Sequence, residues 1–218
     1  MGANRGEYTY IFEKTVGAVN TYAIEPLPRL CSQLRRLFPE AHILNLGLSE
    51  SASKLTLKTP IIHGSPMWTR STFEHFVEDD ESGALLEEVR VTTLDLLCDE
   101  LRIGDVACIK IDVEGHEKSA LLGAAKTLET YRPLLLVEIE QRHHLEPIGN
   151  IFSLLEQSKY EGFFFDPSTT SLRPISDFSA ETHQQREALG GPRYVNNFFF
   201  IDSADALSLT EFANRLMK

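Results

Sequence analysis

The sequence predicts an α/β fold: a mostly parallel sheet with helices on both faces. Three observations carry that prediction. Short apolar, β-branched runs recur along the chain, segments of helical periodicity separate them, and titratable side chains gather where one run stops. The clearest case is Cys108-Ile109-Lys110-Ile111-Asp112-Val113-Glu114-Gly115-His116-Glu117. Its apolar part reads as a buried strand, Gly115 breaks it, and a helical pattern follows. Asp112, Glu114 and His116 stand at the break, where an open α/β sheet binds its ligands.

Each element follows from local pattern. Glu7 to Lys14 is expected as a helix with Tyr8, Ile11 and Phe12 on one face, ended by Gly17. Val19 to Ile24 reads as a strand, closed at Glu25-Pro26 because the residue before proline is pushed out of helical space. Leu27, Leu30, Cys31, Leu34, Leu37 and Phe38 keep the spacing of one buried helix face, stopped by Pro39. His42 to Leu48 is a strand, Ser49 to Ser53 a polar turn, and Lys54 to Lys58 alternates like an exposed strand. Residues 60–84 fit no regular pattern and are read as a lid or mobile loop. Val89 to Thr92 is a strand, and Thr93 caps a helix from Leu94 to Leu101. After the strand Val106 to Ile111 come a helix from Lys118 to Tyr131, a strand from Leu134 to Ile139 and a helix from Ile151 to Tyr160. Gly162 to Phe165 and Asn197 to Ile201 are aromatic strands that form an antiparallel pair, and Leu209 to Met217 is a closing helix. No repeat and no second apolar core is evident, so residues 1–218 are read as one domain.

Composition narrows the function. The chain has 218 residues, 42% hydrophobic and 24% charged, with a formal net charge of −11. That balance and the lack of a basic stripe argue against a nucleic-acid partner. Cys31, Cys98 and Cys108 are odd in number and form no Cys-x-x-Cys, the pattern of a reduced compartment. There is no leader pattern and no apolar run of membrane-spanning length, so the expected location is the cytoplasm, with no membrane partner.

Candidate site residues come in groups. Gly2-Ala3-Asn4-Arg5-Gly6 is a loop whose glycines would let backbone approach a ligand and turn into a helix. A plain turn would look the same. Glu25 follows Gly6 by 19 residues, near the spacing at which a strand-end acid binds ribose hydroxyls. There is neither a G-x-G-x-x-G nor a P-loop, which suits a nucleoside cofactor without pyrophosphate. Asp112 and Glu114, at i and i+2, could hold a substrate, act as a base or help bind a metal. Glu114 could equally cap the next helix. His116 could be a general base or a helix-start histidine. His143-His144 with Glu138 and Glu140 match no zinc template, and no metal site is expected.

These residues also carry a family resemblance. Ile109 to Glu117, then Leu121-Leu122-Gly123-Ala124, Arg132-Pro133 and Leu136-Val137-Glu138, together with Gly2 to Thr9, Glu25-Pro26 and Leu46 to Ser49, resemble the FkbM family of S-adenosylmethionine-dependent methyltransferases. The resemblance implies a class I methyltransferase (Rossmann-like) fold whose last strand is antiparallel. It implies methyl transfer from S-adenosyl-L-methionine to a hydroxyl of a sugar or small secondary metabolite. By position, Gly2, Ala3, Asn4 and Gly6 would approach the methionine part of the cofactor and Glu25 would bind its ribose. Leu48 would lie near adenine, and Asp112 would face cofactor and acceptor. Asp112 or His116, with Glu138 behind them, would serve as the base, and Glu114 and Trp68 would contact the acceptor. The family pattern has an apolar strand ending in Asp before the glycine loop. Here Met1 stands just before Gly2, so that first strand is expected to be missing or truncated. Two other readings compete: a non-catalytic methyltransferase-like binding domain, and a nicotinamide-dependent oxidoreductase, which the glycine pattern disfavours.

Overall fold

A computed structural model describes residues 1–77 and 79–205; the expected helix Leu209 to Met217 lies outside them. The described residues form two units, the first made of residues 1–103 and 111–125, the second of residues 104–110 and 126 onward.

In the first unit, Gly6 opens helix α1 (Glu7–Val16). A 3-10 turn at Ala18–Asn20 takes the front of the expected strand and leaves β1 as Tyr22–Ile24. Helix α2 (Pro28–Leu37) starts with proline, whose missing N–H costs nothing at a helix start, and buries Leu30, Cys31 and Leu34. Leu37, expected on that face, is exposed. The expected strand His42 to Leu48 is two strands, β2 (His42–Leu44) and β3 (Gly47–Leu48). Asn45 divides them, its amide donating to the Glu25 and Pro26 carbonyls at 3.1 and 2.8 Å. Strands β4 (Ser53–Ile62), β5 (Ser65–Pro66) and β6 (Glu81–Thr92) follow, and helix α3 (Leu94–Leu101) is capped by the Thr93 hydroxyl, as expected.

Residues 60–84 are therefore more regular than their composition suggests. They hold the end of β4, all of β5, a 3-10 turn at Trp68–Arg70 and the start of β6. Pro60 sits opposite Ala84 in the ladder.

The chain continues through β7 (Cys108–Ile111) and helix α4 (Glu117–Leu122). The single helix expected over Lys118 to Tyr131 is broken at Gly123, the C-cap of α4, whose carbonyl accepts from the Asp95 N–H at 3.1 Å instead of from the next helical turn. Helix α5 (Ala125–Tyr131) resumes past the break. The second unit then holds β8 (Leu134–Glu138), α6 (Gly149–Gln157), β9 (Tyr160–Asp166), β10 (Ser171–Pro174), α7 (Ala180–His183) and β11 (Asn197–Asp202).

The pairing departs from one mostly parallel sheet. The strands form a two-stranded, a four-stranded and a five-stranded sheet, ordered β1-β2, β3-β6-β4-β5 and β10-β9-β11-β8-β7. β1–β2 and β3–β6 are parallel. β4 pairs antiparallel with β5 and β6, and β11 pairs antiparallel with β8 and β9. The reason is connectivity: β4, β5 and β6 follow one another with no long helix between them, so they return as hairpins. The aromatic strands pair antiparallel as expected, Phe198 opposite Phe164.

Each unit has its own core. In the first, Ala23, Cys31, Leu34, Phe38 and Ile43 pack α2 onto β1 and β2. Leu27, Leu30, Leu57 and Val89 form a second cluster, covered by Trp68 and Phe73. In the second, Phe152, Phe178 and Phe198 meet at ring distances of 4.9–5.9 Å. At the end of β9, Asp166 accepts from the Ser168 hydroxyl and N–H at 2.6 and 2.8 Å and from Arg173 at 3.1 Å. The Ser168 hydroxyl, then its N–H and Arg173, hold the Asp166 carboxyl well below the usual carboxylate range. A carboxyl lowered on folding stabilises above its unfolded value and loses that contribution as pH falls through its folded value. Asp166→Asn should therefore flatten the acid side of the melting-temperature profile, measured by thermal denaturation across acidic pH.

Candidate functional site

Met1, Gly2 and Asn4 line one side of a cleft in the first unit. The Ala3 N–H donates to the Ile24 carbonyl at 3.1 Å, and the Asp112 N–H donates to the Met1 carbonyl at 3.3 Å. Gly2 thus runs between the end of β1 and Asp112. Its φ is +69°, and a Cβ there would lie 1.8 Å from the Asp112 carbonyl oxygen. Asn4 and Gly6 also have positive φ, 48° and 94°. A Cβ on Gly6 would collide with Leu34 and Phe38.

Glu25 organises the loop. It is 4% exposed. Its Oε2 accepts the Asn4 N–H at 2.9 Å, and its Oε1 accepts the Leu27 N–H at 3.0 Å. Burial raises its pKa, and the two backbone donors oppose that rise. Each carboxylate oxygen has two acceptor sites, so a neighbouring hydroxyl can still bond to it.

The cleft is shallow and open to solvent, with about 560 Å³ of space when its open mouth is included. Its lining includes Gly2, Asn4, Glu25, Leu48, Asp112 and Glu114, with Trp68, Ser71 and Phe73. Three acidic residues are thus among its lining, and among the described residues no lysine or arginine lines it. The buried Oδ1 of Asn4 has no hydrogen-bond partner among the described residues.

Five of the seven residues expected to bind cofactor therefore line one cleft: Gly2, Asn4, Glu25, Leu48 and Asp112. Ala3 packs against the α2 cluster instead, and Gly6 makes room for Leu34 and Phe38. Both residues expected to touch acceptor, Glu114 and Trp68, line the cleft. Glu114 does not cap α4: the residue at that helix's N-cap is His116, which makes no side-chain cap bond. The buried Glu117 instead closes the turn, its Oε1 accepting from Val113 N–H and Gly115 N–H at 3.3 and 3.1 Å.

His116 and Glu138 stand differently. His116 is 7% exposed and does not line the cleft. Its Nδ1 lies 2.7 Å from Glu74 Oε1 and its Nε2 lies 3.0 Å from Ser49 Oγ. Glu138 belongs to the second unit, where Lys110 and Asn196 bond its carboxylate at 3.2 and 2.8 Å. Sequence reasoning missed Glu74, Thr72 and Phe73. They sit in an irregular segment, and their partners are distant in the chain, so periodicity carries no trace of them.

The cleft lies at the ends of β1 and β7, where an α/β fold places its ligands. The family model for the methyltransferase FkbM domain matches residues 1–165, and the chain belongs to that family. It is also similar to the crystal structure of methyltransferase FkbM from Methylobacillus flagellatus KT, with 17% identity and a TM-score of 0.51 over 91% of this chain and 41% of that one. At that identity the likeness is one of fold, and this chain spans about two fifths of the length of that structure. No curated protein matches it. Among the described residues no helix is long and apolar enough to cross a membrane.

Gly2→Ala tests the close approach. With positive φ and no room for a Cβ, it should destabilise by roughly 1–3 kcal/mol, measured by urea denaturation.

Proposed function

We propose that this chain uses S-adenosyl-L-methionine to methylate a hydroxyl of a sugar or small secondary metabolite, on a class I methyltransferase fold. The observation that carries the reading is Glu25, a buried carboxylate in the cleft wall whose oxygens are pre-aligned by two backbone donors. It suits the paired ribose hydroxyls of a nucleoside, which donate where the carboxylate accepts. Asn4 Oδ1, buried and unpartnered, suits the cofactor's ammonium group. Gly2 leaves backbone exposed beside it, and Leu48 offers an apolar surface to the base. The bound cofactor would supply a methyl group already activated by its sulfonium.

The rest falls to the protein. Glu25, Asp112 and Glu114 give the cleft a negative lining that favours a cationic donor. Trp68, Phe73 and Leu48 exclude water around the reacting groups. Asp112 leads as the base at the acceptor hydroxyl, because it lines the cleft whereas both ring nitrogens of His116 are bonded to protein. Glu114 and Trp68 would orient the acceptor, and the Trp68–Phe73 segment would wall it in as a lid. Cytoplasmic location suits the three free thiols.

Calorimetry with S-adenosylhomocysteine tests the cofactor reading. Heat is expected from the folded chain, and Glu25→Gln should weaken binding about 10- to 100-fold, the value of a charge-assisted hydrogen bond. Because Glu25 must be ionised to accept both hydroxyls and its pKa is raised, affinity should hold at neutral pH and fall as pH drops through that raised value. No heat from well-folded protein would favour the non-catalytic reading. For the base, labelled methyl transfer to a panel of monosaccharides should fall about 100-fold or more in Asp112→Asn. Turnover within a few-fold of wild type would remove Asp112 from that role.

A further inference from the structure

Ser49, His116 and Glu74 form a chain of hydrogen bonds that neither sequence pattern nor family membership assigns. A carboxylate can only accept, so the proton at the Glu74 contact sits on His116 Nδ1. In the neutral ring Nε2 then accepts the Ser49 hydroxyl. The Phe73 ring meets the imidazole edge-on at 5.2 Å, and His116 is nearly closed to solvent.

A serine, histidine and acid in this order resemble a hydrolytic triad, but the surroundings oppose that use. Ser49 is 5% exposed, and its own N–H donates to the Thr92 carbonyl at 2.9 Å. A nucleophile needs access and oxyanion donors. What the chain does instead follows from its two ends. Ser49 is the rigid end, held by that Thr92 bond and by Gly123 packed against its carbonyl. Glu74 ends the segment that carries Trp68, Thr69, Ser71 and Phe73 to the cleft. Its N–H donates to Thr72 Oγ1 at 3.0 Å, and that hydroxyl donates to the Glu114 carbonyl at 2.6 Å. Thr72 also bridges Lys58 through backbone bonds of 2.8 and 2.9 Å, and the Lys58 ammonium pairs with Glu81 at 2.8 Å.

We propose that Glu74 is a positioning residue: through His116 and Ser49 it holds the Trp68–Phe73 wall of the cleft in register with Asp112 and Glu114. The consequence for an acceptor rests on the methyl-transfer reading; the tether itself does not.

Trp68 is the only tryptophan in the chain, so its fluorescence reports the wall without any ligand. Loss of the tether in Glu74→Ala should raise acrylamide quenching of Trp68 about twofold or more and shift its emission to the red. Glu74→Gln keeps an amide oxygen that accepts from Nδ1–H and should restore wild-type quenching. Unchanged quenching in Glu74→Ala overturns the proposal. If Glu74→Ala fails to fold, imidazole nitrogen spectra of the wild type decide. An Nδ1–H tautomer at His116, assigned by its loss in His116→Gln, supports the tether, and an Nε2–H tautomer overturns it. Calorimetry with S-adenosylhomocysteine runs in parallel: its failure in wild type removes the methyl-donor reading while quenching still judges the tether.

Discussion

Glu25 joins three pieces of backbone that would otherwise have no reason to meet. One carboxylate oxygen takes the Asn4 N–H and the other the Leu27 N–H, while its carbonyl takes the amide of Asn45 and the Cys31 thiol. The glycine loop, the start of α2 and the link between β2 and β3 are all set by this residue. Burying a carboxylate is costly unless its oxygens are bonded, and here backbone donors offset that cost. The same bonds fix the carboxylate in the cleft wall, so the group that organises the wall is also the one to which the proposed function gives the nucleoside.

The turn after β7 is the second organising point. Val113 and Gly115 donate to the buried Glu117, Glu114 takes positive φ, and its carbonyl is tied to Thr72. Asp112 and Glu114 reach the cleft because Glu117 and His116 close the turn from behind. Acidic residues that look alike in sequence thus divide into those that face the cleft and one that holds the backbone.

Much of this was legible in the chain. The spacing of Glu25 from the glycine loop, the strand-end place of Asp112 and the cap at Thr93 are local features, and the structure places each of them where the pattern predicts. The mixed pairing of β4, β5 and β6 was not legible, since residues 60–84 contain prolines and glycines at positions a ladder edge tolerates. Nor was the division of the strand His42 to Leu48, because the bonds of Asn45 that break it reach back to Glu25 and Pro26.

The sequence by itself determined most of the element types outside residues 60–84, the glycine loop, the strand-end acids and the family, because these depend on periodicity and short spacings. Only the tertiary structure decided which of those groups share a cleft, and that His116 is bound at both nitrogens. Its partners Ser49 and Glu74 lie 67 and 42 residues away. Contacts at that range are made by packing, which no local pattern encodes.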